Sequence, residues 1–252
     1  MTIMVIEISD FMTRVEAVQY TIFTQKFHSS VAKTLGKYRG HIQSNDNNNY
    51  VVTFNSVTDA VQCALDIQYK FKYVTPKHKS FSRKLNLALV YTDKFNEKAV
   101  DTCKRLCETV KDQLVITSQL KALYEKVNEH AEIDKSLIRT LKPKEEEFLI
   151  NFMDFLEINW HDAQLNIGKI TQSLGLTYGQ LYWRLHKLTG YTPQRFIKDF
   201  RLHKGMLLLH NQRGNISQVA KNAGFKSATH FSDSFLETYG IRPSKYVQQH
   251  AL

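Results

Sequence analysis

Apolar positions change their period partway along the chain. Short β-like runs come first: IMVIEI (residues 3–8), then HIQS and YVVTF on either side of a polar NDNNN turn, then LNLALVY and LVIT. Between these runs the spacing is helical over Phe11–Leu35, Val57–Phe71 and Ala99–Val110. Ala60, Ala64, Ile67 and Phe71, for example, recur at intervals of three and four. The alternation predicts an α+β domain of ferredoxin-like layout over residues 1–126. Residues 127–144 are mixed and polar, and Pro143 punctuates them as a linker. From Glu145 onward only helical spacing remains, so residues 145–252 read as an all-α domain.

The helical part repeats itself. Ile167, Ile170 and Gly175 recur 49 residues later as Ile216, Val219 and Gly224. Leu181, Leu185, Gly190, Pro193 and Phe196 recur 50 later as Phe231, Phe235, Gly240, Pro243 and Tyr246. Each copy reads as a short helix ended by a glycine, a tight turn and a second helix, which is the grammar of a helix-turn-helix. Thr177 with Gln180 forms a capping-box pattern before the second helix of copy one, and Ser227 can cap its counterpart. Pro193–His210 reads as one continuous helix joining the copies, with Pro193 in its first turn.

Composition narrows the function. Hydrophobic residues make up 42% of the chain, enough to exclude wholesale disorder. The N-terminal apolar run is broken by Glu7 and is too short for a membrane span, and it lacks a basic leader. Three cysteines (Cys63, Cys103, Cys107) fit no common disulfide or zinc spacing, which points to buried thiols and a reducing cytoplasm. The formal charge is +10, and from Ala163 to Leu252 twelve Lys/Arg face three Asp/Glu, a net of +9. A basic surface confined to one domain suits a polyanion. Residues 70–84 hold six more cations and no acid and read as a solvated loop.

The stretch ISQVAKNAGFKSATHFSDSFLETYGIRPSKY resembles the signature of the AraC/XylS family. Its small residue, Gly-Phe, Phe-Ser, Phe and Gly-x-x-Pro stand in order, and the preceding copy shares the layout. The resemblance implies a DNA-binding transcription regulator. Two recognition helices on one linker helix would meet double-stranded DNA about one turn (~34 Å) apart. Helical-wheel positions then place Gly179, Tyr182, Trp183 and His186 of the first recognition helix toward bases, and Thr229, His230 and Asp233 of the second. Asp233 stands where the family often has arginine, although a carboxylate can accept from a cytosine amino group. Arg184, Lys187, Arg195, Lys204 and Lys226 are the expected phosphate contacts.

The order of segments in residues 1–126 resembles a class III nucleotidyl cyclase domain. In that family, carboxylates on strand one and in the following hairpin bind two metal ions. Here those positions are Glu7 and Asn48, the purine-selecting lysine is Ser44, and the Asn/Arg pair of the transition state is Asp101 and Arg105. A neutral amide is a poor ligand for a hard cation. The resemblance therefore implies a degenerate cyclase site with no metal, no cofactor and no catalysis. It also implies a sensor domain that forms a homodimer and can take a small, nucleotide-like effector. The competing expectation is an active cyclase fused to a DNA-binding module. No membrane partner is expected.

Overall fold

The computed structural model describes residues 1–9, 17–45, 49–74, 84–110, 113–129, 131 and 133–250. The chain divides into two compact units, the boundary lying between Ile150 and Asn151.

The first unit contains β1 (Thr2–Ser9), α1 (Ala17–Lys37), β2 (His41–Asn45), β3 (Asn49–Phe54) and α2 (Val57–Val74). It continues through β4 (Lys84–Tyr91), α3 (Glu97–Thr109), β5 (Leu114–Thr117), α4 (Ser118–Val127), β6 (Ile138–Leu141) and the start of α5 (Pro143–Asn159). Among the described residues the strands form one sheet in the order β2-β3-β1-β4-β5-β6. The four strands β2, β3, β1 and β4 are antiparallel, as a ferredoxin-like layout requires, and β5 and β6 add to β4 in parallel. Register sorts the side chains by face. Ile6 lies opposite Tyr50 and Leu87, and Tyr50 meets Phe27 of α1, which in turn meets Phe71 of α2. Helix α4 lies beside α2, where Gln62 donates to the Tyr124 hydroxyl.

The thiols of α3 take the strands' carbonyls: Cys103 donates to Ala88 at 3.2 Å and Cys107 to Val5 at 3.7 Å. All three cysteines are buried and free, and burial pushes the Cys103 thiol up to about 12. Two elements escaped the sequence reading. LVIT turns directly into α4, Thr117 serving as both last strand residue and N-cap, so no loop marked the change. The segment read as a linker contains β6, a four-residue edge strand too short to show alternation, and Pro143 opens α5. Residues 75–83 of the basic stretch read as a loop, and Asn48 with its turn, lie outside the described residues.

The second unit takes the rest of α5 and then α6 (Ile167–Leu174), α7 (Tyr178–Thr189), α8 (Pro193–His210), α9 (Ile216–Asn222), α10 (Ala228–Tyr239) and α11 (Pro243–His250). The two copies of the repeat are α6–α7 and α9–α10, and α8 joins them as a single helix capped by Thr192. Each copy turns on a left-handed glycine, Gly175 at φ 62° and Gly224 at φ 73°. Leu181, Leu185 and Leu188 of α7 and Phe231 and Phe235 of α10 are buried, as their spacing predicts. Phe152 of α5 meets Phe196 of α8 at 5.4 Å.

A part-buried polar contact fastens α8 to the segment just past α5. The Arg201 guanidinium of α8 donates from Nε to Trp160 O at 2.8 Å and from Nη2 to Asp162 O at 2.6 Å, just past the end of α5. Burial lowers its pKa from the ordinary arginine value, and the Asp162 carboxylate opposes that shift. Replacing it by methionine keeps the stem but leaves two part-buried carbonyls without their charged donor, a loss of about 2–3 kcal/mol. Arg201→Met should therefore lower the midpoint of chemical denaturation clearly. A loss below ~0.5 kcal/mol, the range of neutral surface changes, would refute this role.

Candidate nucleic-acid interface

Helix α7 is fixed at both ends. Thr177 Oγ1 accepts from the Gln180 backbone N–H and Gln180 Oε1 accepts from the Thr177 N–H, completing the capping box, while Gly190 closes the C-terminus. With its leucine stripe buried, the opposite face is exposed and carries rings. Trp183 is 62% exposed, Tyr178 51% and Tyr182 38%. Tyr182 stacks on His186 at 5.8 Å and meets Tyr178 at 6.3 Å, so these three rings form a ladder along the helix. Lys187 lies over the Trp183 ring at 5.0 Å. Large apolar groups on a water-facing helix are unfavourable alone, and contiguous ones mark a contact surface. Gly179, Tyr182, Trp183 and His186 thus share the exposed face expected of them. Tyr178 belongs with them and was missed. Its place one turn before Tyr182 was the available signal.

On α10, Ser227 caps the helix by accepting from His230 N at 3.1 Å. Thr229, His230 and Asp233 are exposed, and the His230 ring leans on Phe225 at 5.5 Å. Asp233 has a partner that the sequence reading did not consider: Arg242 Nη1 stands 3.7 Å from its carboxylate.

The expected phosphate contacts separate into two groups. Lys187, Arg195 and Lys226 are exposed and Arg184 is half-buried. Arg195 also holds a loose pair with Asp199 at 3.5 Å. Lys204 departs from the expectation. Its side chain is only 22% exposed, and its ammonium lies 2.7 Å from Glu157 and over the Phe200 ring. It ties α8 to α5, a neighbour in space that no spacing rule reveals.

In the first unit Glu7 lies opposite Asn86 across β1 and β4, and the Asn86 amide donates to it at 3.3 Å. Glu7 also acts on α3: the Cys107 thiol is pushed well up by burial, with the Glu7 charge adding to it. Asp101 is exposed and Arg105 half-buried, one turn apart on α3. Among the described residues no cluster of three His, Cys, Asp or Glu could hold a metal ion. A separate cleft of about 260 Å³ opens at the C-terminal ends of β4 and β5, lined by Tyr91, Thr92, Asn96, Lys98, Thr117 and Glu146 among others. Because β1 runs against β4, this cleft and Glu7 lie toward opposite ends of the strands. Among the described residues no helix is long and apolar enough to cross a membrane.

Comparison with known proteins matches residues 170–249 to a family model described as a helix-turn-helix domain. The chain is 32% identical over 88 residues to the HTH-type transcriptional regulator MtrA of Neisseria gonorrhoeae, covering 35% of this chain and 29% of that one. It spans less than a third of the length of the curated relatives it matches. A solved AraC-type transcriptional regulator from Chromobacterium violaceum is 25% identical with a TM-score of 0.38, over 40% of this chain and 89% of that one. The adenylyl cyclase CyaB from P. aeruginosa is 14% identical with a TM-score of 0.44, over 50% of this chain and 80% of that one. The C-terminal unit of this chain is an AraC-type helix-turn-helix domain.

Proposed function

We propose that the chain is a transcription regulator that binds duplex DNA through α7 and α10, under the control of a cyclase-like N-terminal unit that does no catalysis. The observation that carries the reading is the exposed face of α7. Tyr178, Tyr182, Trp183 and His186 stand in water on a helix whose other side is fully packed. Such rings fit the floor of a major groove, where they contact thymine methyls and sugars. Lys187, Arg195 and Lys226 supply the phosphate attraction that positions the helix without reading sequence.

In the N-terminal unit, Glu7 is engaged by the Asn86 amide, and the second ligand position is an amide in the sequence. Two-metal chemistry needs several anionic oxygens gathered together. The unit is read instead as a sensor that pairs the chain into a homodimer, so that two domains meet DNA at once and avidity rises. A small effector, nucleotide-like by the resemblance, acts through it. The setting is the cytoplasm, where DNA and free thiols coexist.

Three measurements test this reading. Binding of a selected duplex should fall on the order of 10³-fold between ~50 and ~200 mM salt, for about six phosphate contacts. Salt-independent binding, or none, would refute it. Trp183→Ala should cost under ~0.5 kcal/mol of stability, because the ring is mostly in water, yet remove ~1–3 kcal/mol of base discrimination. Lys226→Ala should instead weaken all sequences alike, and the reverse pattern would overturn the assignment of faces. Incubated with ATP or GTP and Mn²⁺, the chain should sediment as a dimer and yield no cyclic nucleotide. A cyclic product abolished by Glu7→Ala would make it an enzyme, and a monomer at tens of micromolar would remove the pairing role.

A further inference from the structure

The two recognition helices carry opposite charge. Helix α7 holds Arg184 and Lys187 and no acid, whereas α10 (ATHFSDSFLETY) holds Asp233 and Glu237 and neither Lys nor Arg. The 50-residue repeat sharpens the contrast, since Trp183 and Lys187 correspond to Asp233 and Glu237. A helix with two carboxylates is repelled by phosphate unless cations come from elsewhere. In this structure they do. Lys198 of α8 pairs with Glu237 at 3.2 Å, and Arg242 pairs with Asp233 at 3.7 Å.

Arg242 occupies a telling position. It immediately precedes Pro243, the first residue of α11, and its carbonyl accepts the opening helical bond from Tyr246 N at 2.9 Å. Its counterpart 50 residues earlier is Thr192, which caps α8 by accepting from Arg195 N. Copy one thus places a good N-cap at this position, and copy two places an arginine, which cannot cap. A local rule kept in one copy and broken in the other points to a functional demand. Arg242 buries little: it is 59% exposed and Asp233 62%. Its side chain reaches back beside the exposed face that carries Thr229, His230 and Asp233.

From this we infer that Arg242, held by Asp233, is the guanine-reading residue of the second helix-turn-helix. This rests on the reading of the domain as a duplex binder. A guanidinium presents a planar fork that donates two hydrogen bonds to O6 and N7 of guanine. A carboxylate alongside accepts from the remaining N–H groups, fixes the plane of the fork and cancels its charge. The pair is therefore neutral and adds little to indiscriminate attraction for phosphate. At 3.7 Å and in water it is loose enough in the free protein to yield donors to a base. Asp233 is a positioning residue here and not itself the reader of cytosine.

The test is selection of bound sequences from a randomised duplex library by the full chain and its variants, with affinities then measured for substitutions at each position of the site. Arg242→Ala should flatten preference at one G·C pair by roughly 10- to 100-fold while leaving the other positions intact. Arg242→Lys should not restore it, because an ammonium has no fork. Asp233→Ala should weaken preference at that same pair by a smaller factor, and Asp233→Glu should recover it. Equal loss for every sequence, with the salt slope reduced by about one, would make Arg242 a phosphate contact and overturn the inference. So would unchanged preference, or an Asp233→Ala effect at a different pair. If Arg242→Ala fails to fold, Arg242→Gln removes the charge while keeping most of the stem and gives the same reading. A wild-type chain that selects no sequence overturns the duplex reading, and this inference with it.

Discussion

The helical unit is organised around two backbone carbonyls just past a helix end, Trp160 O and Asp162 O, the second of which also accepts from Leu165 N at 2.9 Å. Beyond the end of α5, Trp160 O and Asp162 O point at α8, and Arg201 meets both with one guanidinium. The same spot receives the turn of the second helix-turn-helix. A Cβ on Gly224 would lie 2.6 Å from Trp160 O and 2.9 Å from Arg201 Nε. Three segments distant in sequence therefore converge where only a bare backbone fits, and at a φ that glycine tolerates. Lys204 with Glu157 and Phe196 with Phe152 extend the seam along α5 and α8. With α8 held this way, the helices packed on it gain fixed directions, as recognition of a rigid duplex demands.

On that scaffold the two copies have diverged in chemistry while keeping their packing. Both bury an apolar stripe, both begin with a hydroxyl N-cap and both end on a left-handed glycine. Their exposed faces differ because nothing in the core constrains them. Helix α7 offers rings whose energy comes from surface removed from water, with a lysine riding on tryptophan. Helix α10 offers a histidine, a threonine and carboxylates already matched by Lys198 and Arg242. Long-range attraction accordingly falls on the first copy and on exposed Arg195 and Lys226. In the proposed complex helix α10 itself, its carboxylates already matched, is left with short-range, directional contacts.

What the sequence disclosed follows the range of the forces involved. Caps, glycine turns and buried stripes are set within one or two helical turns, so Thr177, Ser227, Gly175 and Leu181 could be read directly. The exposed face of α7 followed from the same periodicity. Contacts made across the fold could not be read. Lys204 read as a phosphate contact until Glu157 was seen beside it, and Arg242 was only an unassigned position of the Gly-x-x-Pro motif until its reach to Asp233 was visible. Strand β6 escaped for a related reason. Four residues carry too little pattern, and its pairing to β5 is a tertiary fact.

The N-terminal sheet shows the same separation between what packing requires and what it tolerates. Most of β1 and β4 is apolar and buried, yet Glu7 and Asn86 face each other across the pair. Asn86 is almost wholly buried and, among the described residues, its side-chain Oδ1 has no hydrogen-bond partner. A buried acceptor left unmet costs about 1–3 kcal/mol, and an apolar pair of similar shape would avoid that cost. Stability therefore does not account for a carboxylate and an amide at this position. A slip of β1 by one residue would carry Glu7 to the opposite face, among Tyr50, Leu87 and Phe27. Register alone could have been fixed by the apolar pattern already present. The polar pair therefore marks a position that packing alone does not require, where the Asn86 amide takes up one acceptor site of the Glu7 carboxylate and leaves the others for different partners.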